Sequence, residues 1–545
     1  MIKGNINNIS LSTSSFENII SSGRLYVDKT RLIENFLVSS SEANLIARQR
    51  RMGKSLNMDM IRCFLTDKQD MRYLFRGLYI ETSLVWEKAN SAPIFYFDFK
   101  GLSADDYKKQ ILEQFDEHVY DLCDTDNLKG YLKRKYENII SNPGRAIDSL
   151  QFLTELAFRT TGKRSYLLID EYDNLLMRNY NSEKYEEIRE FETALLSAAL
   201  KGNNYLEKAL LTGVMRISHE SMLSGLNNIV TFDVFGDKIY TDDYGLTDDE
   251  VLELSKLADF NPDELRNWYN GIRIDDKPIY NIYSVMSYLN HKNYDCYWGK
   301  SGTMHLIAGL LNDDRKATLT RLLNGELAEV SIASRISLRD LTGKSSDQAF
   351  YSLLVQAGYL ALCGKVEGKT AAYNVSIPNK ELMIVWKEFI LENLYSGIPQ
   401  VRTLFDHTNN LEEFARDLEY FLSDRLSYHN LSNHGSEPTV RVHEQIYHVF
   451  LLGILSAYEN IQFKKPLSNR ESGDGRYDIL VEKLDTNYIF EFKAANSSED
   501  LEKKADEALL QIESKRYGVD LGGNKKLIKI GVALHNKACK VKCCI

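Results

Sequence analysis

Between residues 31 and 213 the apolar positions switch repeatedly between helical spacing and short continuous runs. R-L-I-E-N-F-L (31–37) puts Leu32, Ile33, Phe36 and Leu37 on one helical face. The run L-I-A follows, then a loop ending in G-K-S, then S-L-N-M-D-M-I-R-C-F with Leu56, Met60 and Phe64 four apart. That order predicts strand, loop, helix. P-I-F-Y-F-D-F from Pro93 predicts a second buried strand, followed by a helix around I-L-E-Q-F-D-E-H-V. A helix carrying Phe152, Leu153 and Leu156 leads into S-Y-L-L-I-D-E-Y-D (165–173), and a long helix near 185–201 precedes K-A-L-L-T-G (208–213). Strands alternating with helices predict an α/β fold with a parallel sheet covered on both faces.

The texture changes near residue 245. Short helical patterns with aromatic clusters, N-W-Y-N-G and C-Y-W-G, predict a helical lid and a small helix-rich domain. S-G-I-P-Q near 400 marks a boundary. Beyond it come a helix holding V-H-E-Q-I-Y-H-V-F-L-L-G-I-L and strands N-I-Q-F-K, R-Y-D-I-L-V and Y-I-F-E-F-K. A charged helix with A-L-L-Q-I-E-S-K-R-Y and a last strand, L-I-K-I-G-V-A-L, follow. The expected domains are 1–244, 245–400 and 401–545. A chain of 545 residues has room for three or four domains of about 150 residues each.

Composition narrows the partners. The net charge is -10 and the pI about 5.7, so any nucleic-acid contact has to be a local basic groove on an acidic body. The longest apolar run, from Val449, is too short to span a bilayer, and no apolar leader opens the chain, so no membrane partner is expected. Of seven cysteines the first four are scattered without metal-type spacing, and the odd count suggests reduced thiols and a cytoplasmic protein. The tail K-V-K-C-C-I sets its cysteines one place off a prenylation box and reads as a bare end.

Two constellations carry chemistry. In A-R-Q-R-R-M-G-K-S (47–55), Gly53, Lys54 and Ser55 are the end of a phosphate-binding loop, with Arg48 where the usual pattern has a glycine. Backbone N–H groups at the helix start would face phosphate oxygens, Lys54 would reach the β- and γ-phosphates, and Ser55 would hold Mg²⁺. Arg48, Arg50 and Arg51 would concentrate positive charge on the anion. At the tip of L-L-I-D-E, Asp170 would bind the Mg²⁺ shell and Glu171 would polarise a water. Thr212, at the tip of A-L-L-T-G, would hydrogen-bond the γ-phosphate or water, and Arg216 is a candidate for stabilising transferred charge. Each element also has a bland reading: a chance triplet, an ordinary strand end, a strand cap, a structural arginine.

Near the C-terminus, Glu491 and Lys493 stand two apart on a strand and share a face, while Phe490 and Phe492 share the other. Asp478 comes from the preceding strand. Two converging carboxylates suit a hard cation such as Mg²⁺. Glu444 would add a carboxylate, and Gln511 would orient the lysine or water. Lys464, Lys465, Arg470 and Arg476 would steer a phosphate backbone. The bland alternative is a half-exposed strand with a solvated charged face.

These motifs in this order resemble a family of bacterial proteins with an N-terminal AAA-ATPase-like domain and a C-terminal PD-(D/E)XK nuclease domain. The carriers include Y-V-D-K-T (26–30), R-Q-R-R-M-G-K-S (48–55), L-L-I-D-E-Y-D (167–173) and L-T-G-V-M-R-I-S (211–218). W-Y-N-G (268–271), I-P-N-K-E (377–381), R-Y-D-I-L, E-F-K and Q-I-E-S-K-R-Y continue the set. The arginine-rich loop is typical of that family. Tyr477 departs from it, standing where the nuclease name has proline. The resemblance implies a P-loop NTPase sheet with a helical lid and a winged-helix-like middle domain, plus a restriction-endonuclease-like α/β domain. It also implies ATP at Lys54, Ser55, Asp170 and Glu171, and a nuclease core at Glu444, Asp478, Glu491 and Lys493. The expected partner is nucleic acid, DNA more than RNA, with a homo-oligomer possible. Three functions remain: ATP-gated Mg²⁺-dependent cleavage, a nucleotide-dependent switch whose nuclease fold only binds, and an autonomous nuclease beside a silent ATPase domain.

Overall fold

The computed structural model describes residues 1–215, 228–236, 239–274, 277–298, 307–323, 325–336, 338–341, 346–394, 410–425, 451–452, 455, 466–468, 470–483, 485–519, 521, 525–535 and 538–545. Glu444, Arg216, Lys464, Lys465, the S-G-I-P-Q boundary, the strand expected at N-I-Q-F-K and most of the helix expected around V-H-E-Q-I-Y-H lie outside the described residues. The chain divides into two compact units, 1–306 with 329–382, and 307–328 with 383–545.

The first unit is built on five parallel strands: β1 (Ala43–Ala47), β2 (Ile94–Asp98), β3 (Ser165–Asp170), β4 (Leu206–Gly213) and β5 (Ile229–Phe232). They lie in the order β2-β3-β4-β1-β5, and every pairing is parallel. Every residue of β1 and β3 is buried. That burial on both faces is why these strands read as unbroken apolar runs rather than alternating ones. The order leaves β4 between β1 and β3, so the tip of β4 separates the loop after β1 from the acidic end of β3.

Helix α1 (Lys54–Leu65) follows β1 directly, and a short helix, α2 (Asn174–Asn179), follows β3. Beyond 245 the unit continues with α3 (Asp248–Ala258), α4 (Pro262–Tyr269) and α5 (Ile282–His291). Their apolar faces do not form a core by themselves. Leu25 and Val27 share one buried cluster with Leu254, Tyr269, Val285 and Tyr288, and Ile2, Ile6 and Leu11 pack against it. A three-stranded sheet, Ala328–Ser331, Ala372–Ser376 and Ala361–Lys365, stands within the segment read from sequence as helix-rich.

Glu381 ties the later part of this unit together. Its buried carboxylate accepts from the backbone N–H of Tyr297 at 2.7 Å and of Trp298 at 2.6 Å, and from Ser284 Oγ at 2.9 Å. Burial pushes its pKa up from 4.5 to about 7, against those hydrogen bonds. A carboxyl group raised in this way is bound to its proton more tightly in the folded chain than in the unfolded one. Its stabilising contribution is therefore complete below the ordinary 4.5 and is lost as pH rises through about 7. Glu381→Gln is expected to flatten that part of the melting-temperature profile. Parallel profiles for the variant and the wild type would contradict it.

The second unit ends in a five-stranded sheet: β6 (Leu467–Ser468), β7 (Ile479–Glu482), β8 (Thr486–Ala494), β9 (Lys526–His535) and β10 (Ala538–Cys544), in chain order across the sheet. Only the β8–β9 pairing is parallel among β7 to β10. Helix α6 (Leu411–Arg425) comes before this sheet in the chain, and helix α7 (Leu501–Ser514) makes the β8–β9 crossover. At Gly531 on β9 a Cβ would stand 2.5 Å from Ala505 O, so the helix backbone lies directly on the sheet there. The tail, beyond the last strand expected from sequence, forms the edge strand β10. Its lysines hid it: Lys540 and Lys542 pair with Glu502 at 3.4 and 2.9 Å, and Glu419 Oε1 accepts from the outward backbone N–H of Val541 at 2.8 Å. Among the described residues no helix is long and apolar enough to cross a membrane.

Candidate functional sites

The loop after β1 is shaped by two residues of positive φ, Arg51 at 66° and Gly53 at 86°. Gly53 caps α1 in the left-handed conformation, and no side chain occupies the first N–H groups of that helix. They are left for another acceptor, which is what an anion needs. Lys54 is buried and folds back over the loop, Nζ donating to Arg48 O at 2.9 Å and Gln49 O at 2.8 Å. Burial lowers its pKa, and Asp170, Glu171 and Asp173 pull it back up.

Arg48 does not add charge to this site as expected from sequence. It is fully buried, its Nη1 donating to Ala47 O at 2.9 Å and Phe232 O at 3.2 Å, with its guanidinium 5.8 Å from the ring centre of Tyr244. The side chain that replaces the usual glycine runs under the loop and joins β1 to the end of β5. Arg50 and Arg51 do line the cavity above, Arg51 lying 4.6 Å from the Tyr283 ring centre.

The strand tips converge on Asp170. Ser55 Oγ donates to Asp170 Oδ2 at 2.5 Å, Tyr96 donates to the same oxygen at 3.2 Å, and the Thr212 hydroxyl donates to Oδ1. Thr212 is fully buried, so it meets the loop after β1 through Asp170 rather than directly. Its hydroxyl also lies 3.8 Å from Met58 Sδ. Glu171 takes a φ of 52°, which turns the chain off β3, and Asn174 Nδ2 donates to its Oε2 at 2.7 Å. Asp173 accepts from the backbone N–H of Val214 and of Met215, both at 2.8 Å, and burial raises its pKa to about 6. Gly213 is required beside it, because a Cβ there would lie 2.7 Å from Asp173 Oδ1. The motifs L-L-I-D-E-Y-D and L-T-G-V-M are thus one hydrogen-bonded unit.

A cavity of about 740 Å³ opens over the loop. Gly53, Lys54, Ser55 and Glu171 line it. Its charged lining is Lys29, Arg50, Arg51, Lys54, Lys100 and Arg178 against Glu171 and Asp243. The lining is net positive on a chain of charge -10, which favours an anion there. Lys100, Asn174 and Arg178 were missed from the sequence. Asn174 and Arg178 follow Glu171 at helical spacing on α2, the one signal that could have found them. Lys29 also lines the cavity while its Nζ contacts Glu250 at 2.7 Å and Asp242 O at 2.7 Å, and Glu250 closes the capping box that starts α3.

In the second unit, Ile479 on β7 is opposite Phe490 on β8, and continuing that antiparallel register sets Asp478 opposite Glu491, on the same face. Asp478 Oδ2 accepts from the backbone N–H of Phe492 at 2.7 Å. Glu491 is 3% exposed, which rules out a solvated strand face. Lys493 Nζ lies 3.3 Å from Glu491 Oε1, and Gln511 Nε2, from α7, donates to the same oxygen. Gln511 also donates to the Tyr517 hydroxyl at 3.3 Å. Tyr477, in the proline position of the motif, is a core residue, its ring centre 6.5 Å from that of Tyr517. Among the described residues no three His, Cys, Asp or Glu side chains gather as a metal group. Asp478 and Glu491 offer hard oxygen donors suited to Mg²⁺, as do Ser55 and Asp170 in the first unit.

Residues 10–223 match the family model described as predicted AAA-ATPase, and residues 442–543 match that of the PD-(D/E)XK nuclease superfamily. Over 503 residues the chain is 25% identical to an uncharacterized protein encoded in the vnfD 5' region of Azotobacter chroococcum mcd 1, covering 90% of this chain and 89% of that protein. Among solved structures it is similar to a Walker-type ATPase of Pyrococcus abyssi, with a TM-score of 0.34 and 14% identity over 66% of this chain and 94% of that one. It is also similar to the Aeropyrum pernix ORC2 protein, with a TM-score of 0.23 and 12% identity over 69% and 93%.

Proposed function

We infer that this chain, which carries a predicted AAA-ATPase-like domain and a PD-(D/E)XK nuclease-superfamily domain, binds ATP with Mg²⁺ in the first unit and cleaves nucleic acid in the second, under control of the nucleotide. The observation that carries the cleavage half is the burial of Glu491 with Lys493 and Gln511 both held on one of its oxygens. A buried carboxylate is costly unless fixed partners stabilise it, and here the partners are a cation and an oriented amide. Such a group is preorganised for chemistry rather than for solvation.

In the ATP site the exposed N–H groups of α1 and the Lys54 ammonium would take the phosphate oxygens, the lysine leaving Arg48 O and Gln49 O. Ser55 and Asp170 would hold Mg²⁺, which supplies charge neutralisation on the phosphates. Glu171, fixed by Asn174, would accept a proton from water. In the second site Asp478 and Glu491 would hold Mg²⁺, whose contribution there is to acidify a water and neutralise charge on a phosphodiester. Lys493 would position that water, and Gln511 would keep Glu491 in place. The free cysteines are consistent with a cytoplasmic protein. DNA is the expected substrate ahead of RNA.

The test is cleavage of single- and double-stranded DNA and RNA in Mg²⁺, with and without ATP. Metal-dependent cutting that changes with ATP is expected. ATP binding without cutting of any substrate would select the other reading, a nucleotide-dependent switch whose nuclease fold only binds.

A further inference from the structure

The charges around the C-terminal sheet are matched in one region and unmatched in another. Along α7, β9 and β10 the lysines meet carboxylates: Lys504 with Glu507 at 2.5 Å, Lys529 with Glu513 at 3.0 Å, and Lys542 with Asp506 at 2.7 Å. Past the C-terminal end of α7 this stops. Lys515 and Arg516 are exposed and make no ion pair among the described residues, and neither does exposed Arg470.

Packing brings these three together. A small hairpin, Glu471–Ser472 with Gly475–Arg476, docks on the turn that follows α7. At its tip Gly473 has φ 55°, and a Cβ there would lie 2.4 Å from Lys515 O and 2.5 Å from Arg516 O, so the two backbones are in contact. Asp474 N donates to Lys515 O at 2.8 Å, and Gly518 N donates to Ser472 Oγ at 3.0 Å. Arg470 precedes this hairpin directly. Behind it Tyr517 accepts from Gln511, the amide that also holds Glu491. One tyrosine and one glutamine therefore separate the cations from the acidic centre. Glu471 and Asp474 are the carboxylates on the hairpin, and Glu471 is opposite Arg476.

Cations just past a helix C-terminus complement its dipole, which accounts for Lys515 and Arg516. It does not account for Arg470, which comes from another element and directly precedes the hairpin docked on that turn. A phosphodiester approaching Asp478 and Glu491 meets like charge, and cations that are not already bound to those carboxylates would offset it. We propose that Arg470, Lys515 and Arg516 form a contact strip for the sugar–phosphate backbone of a nucleic-acid strand, seating it beside Glu491. The identity of the partner rests on the nuclease reading above.

The experiment measures binding of the full chain to fluorescently labelled DNA and RNA by anisotropy over a salt series, alongside cleavage. It compares wild type, the triple variant Arg470→Gln/Lys515→Gln/Arg516→Gln, and Lys542→Gln. The triple variant is expected to bind more weakly, with the slope of log affinity against log salt reduced by about one for each cation removed. Lys542→Gln, which removes a cation already paired with Glu502 and Asp506, is expected to bind with the wild-type slope. If the triple variant does not fold, Arg470→Gln and Lys515→Gln separately are each expected to reduce the slope by about one. An unchanged slope in the charge variants, or a wild type that binds neither DNA nor RNA, overturns the strip. A strip that binds as described on a chain that never cuts leaves the strip standing and removes the cleavage reading. Cutting that survives with an unchanged slope does the reverse.

Discussion

Lys54→Ala is expected to weaken ATP binding about 100-fold or more while the chain still folds. A hydrogen bond to a charged group is worth about 1.5–3 kcal/mol, and two such bonds from one ammonium to the β- and γ-phosphates correspond to about two orders of magnitude or more in affinity. In the structure that ammonium is buried and donates to Arg48 O and Gln49 O, two carbonyls of its own loop. Burial already lowers its pKa, so the folded chain gains little from keeping it. Lys54 itself lines the cavity, so the space it vacates admits water to take up those carbonyls. Calorimetric titration with ATP and Mg²⁺ measures the loss, and a melting curve reports the fold. A change in affinity below about tenfold would remove Lys54 from the phosphate site.

Glu491→Gln is expected to reduce cleavage by about 10²–10⁴-fold, the range for loss of a group that positions or transfers a proton or holds the activating ion. The amide keeps the length and volume of the side chain, so α7 and β8 stay packed around it and Gln511 retains a partner. What is lost is the negative charge, and Lys493, now 3.3 Å from a carboxylate oxygen, would face a neutral group. The variant thus separates chemistry from architecture. Single-turnover cutting of a labelled strand is the measurement.

Much of the fold was readable because parallel strands buried on both faces leave continuous apolar runs, as in N-L-I-A and S-Y-L-L-I-D. Gly53, Lys54 and Ser55 announced a helix start because that signal is local. Glu491 and Lys493 were readable as a pair because a strand has period two. What was hidden depends on distance in sequence. Arg48 looks like any cation of a basic loop, and only the Phe232 carbonyl, 184 residues away, shows that it is structural. Lys100 and Arg178 join the cavity from the ends of other strands and helices. Strand β10 was missed because its lysines imitate a solvated tail, while the carboxylates that match them lie on α7. The helices after 245 gave no sign that their core is completed by residues before 28. Glu444, the carboxylate expected to join Asp478 and Glu491, lies outside the described residues.

The central claim is that one chain holds two separate centres, an ATP site at Lys54 and a cutting site at Glu491. ATP affinity and strand cleavage measured on the same preparations of wild type and Glu491→Gln test it most directly. The account predicts equal ATP affinity and a loss of cleavage confined to the variant. Cleavage that is undiminished in Glu491→Gln, or ATP binding that disappears with it, would contradict the account.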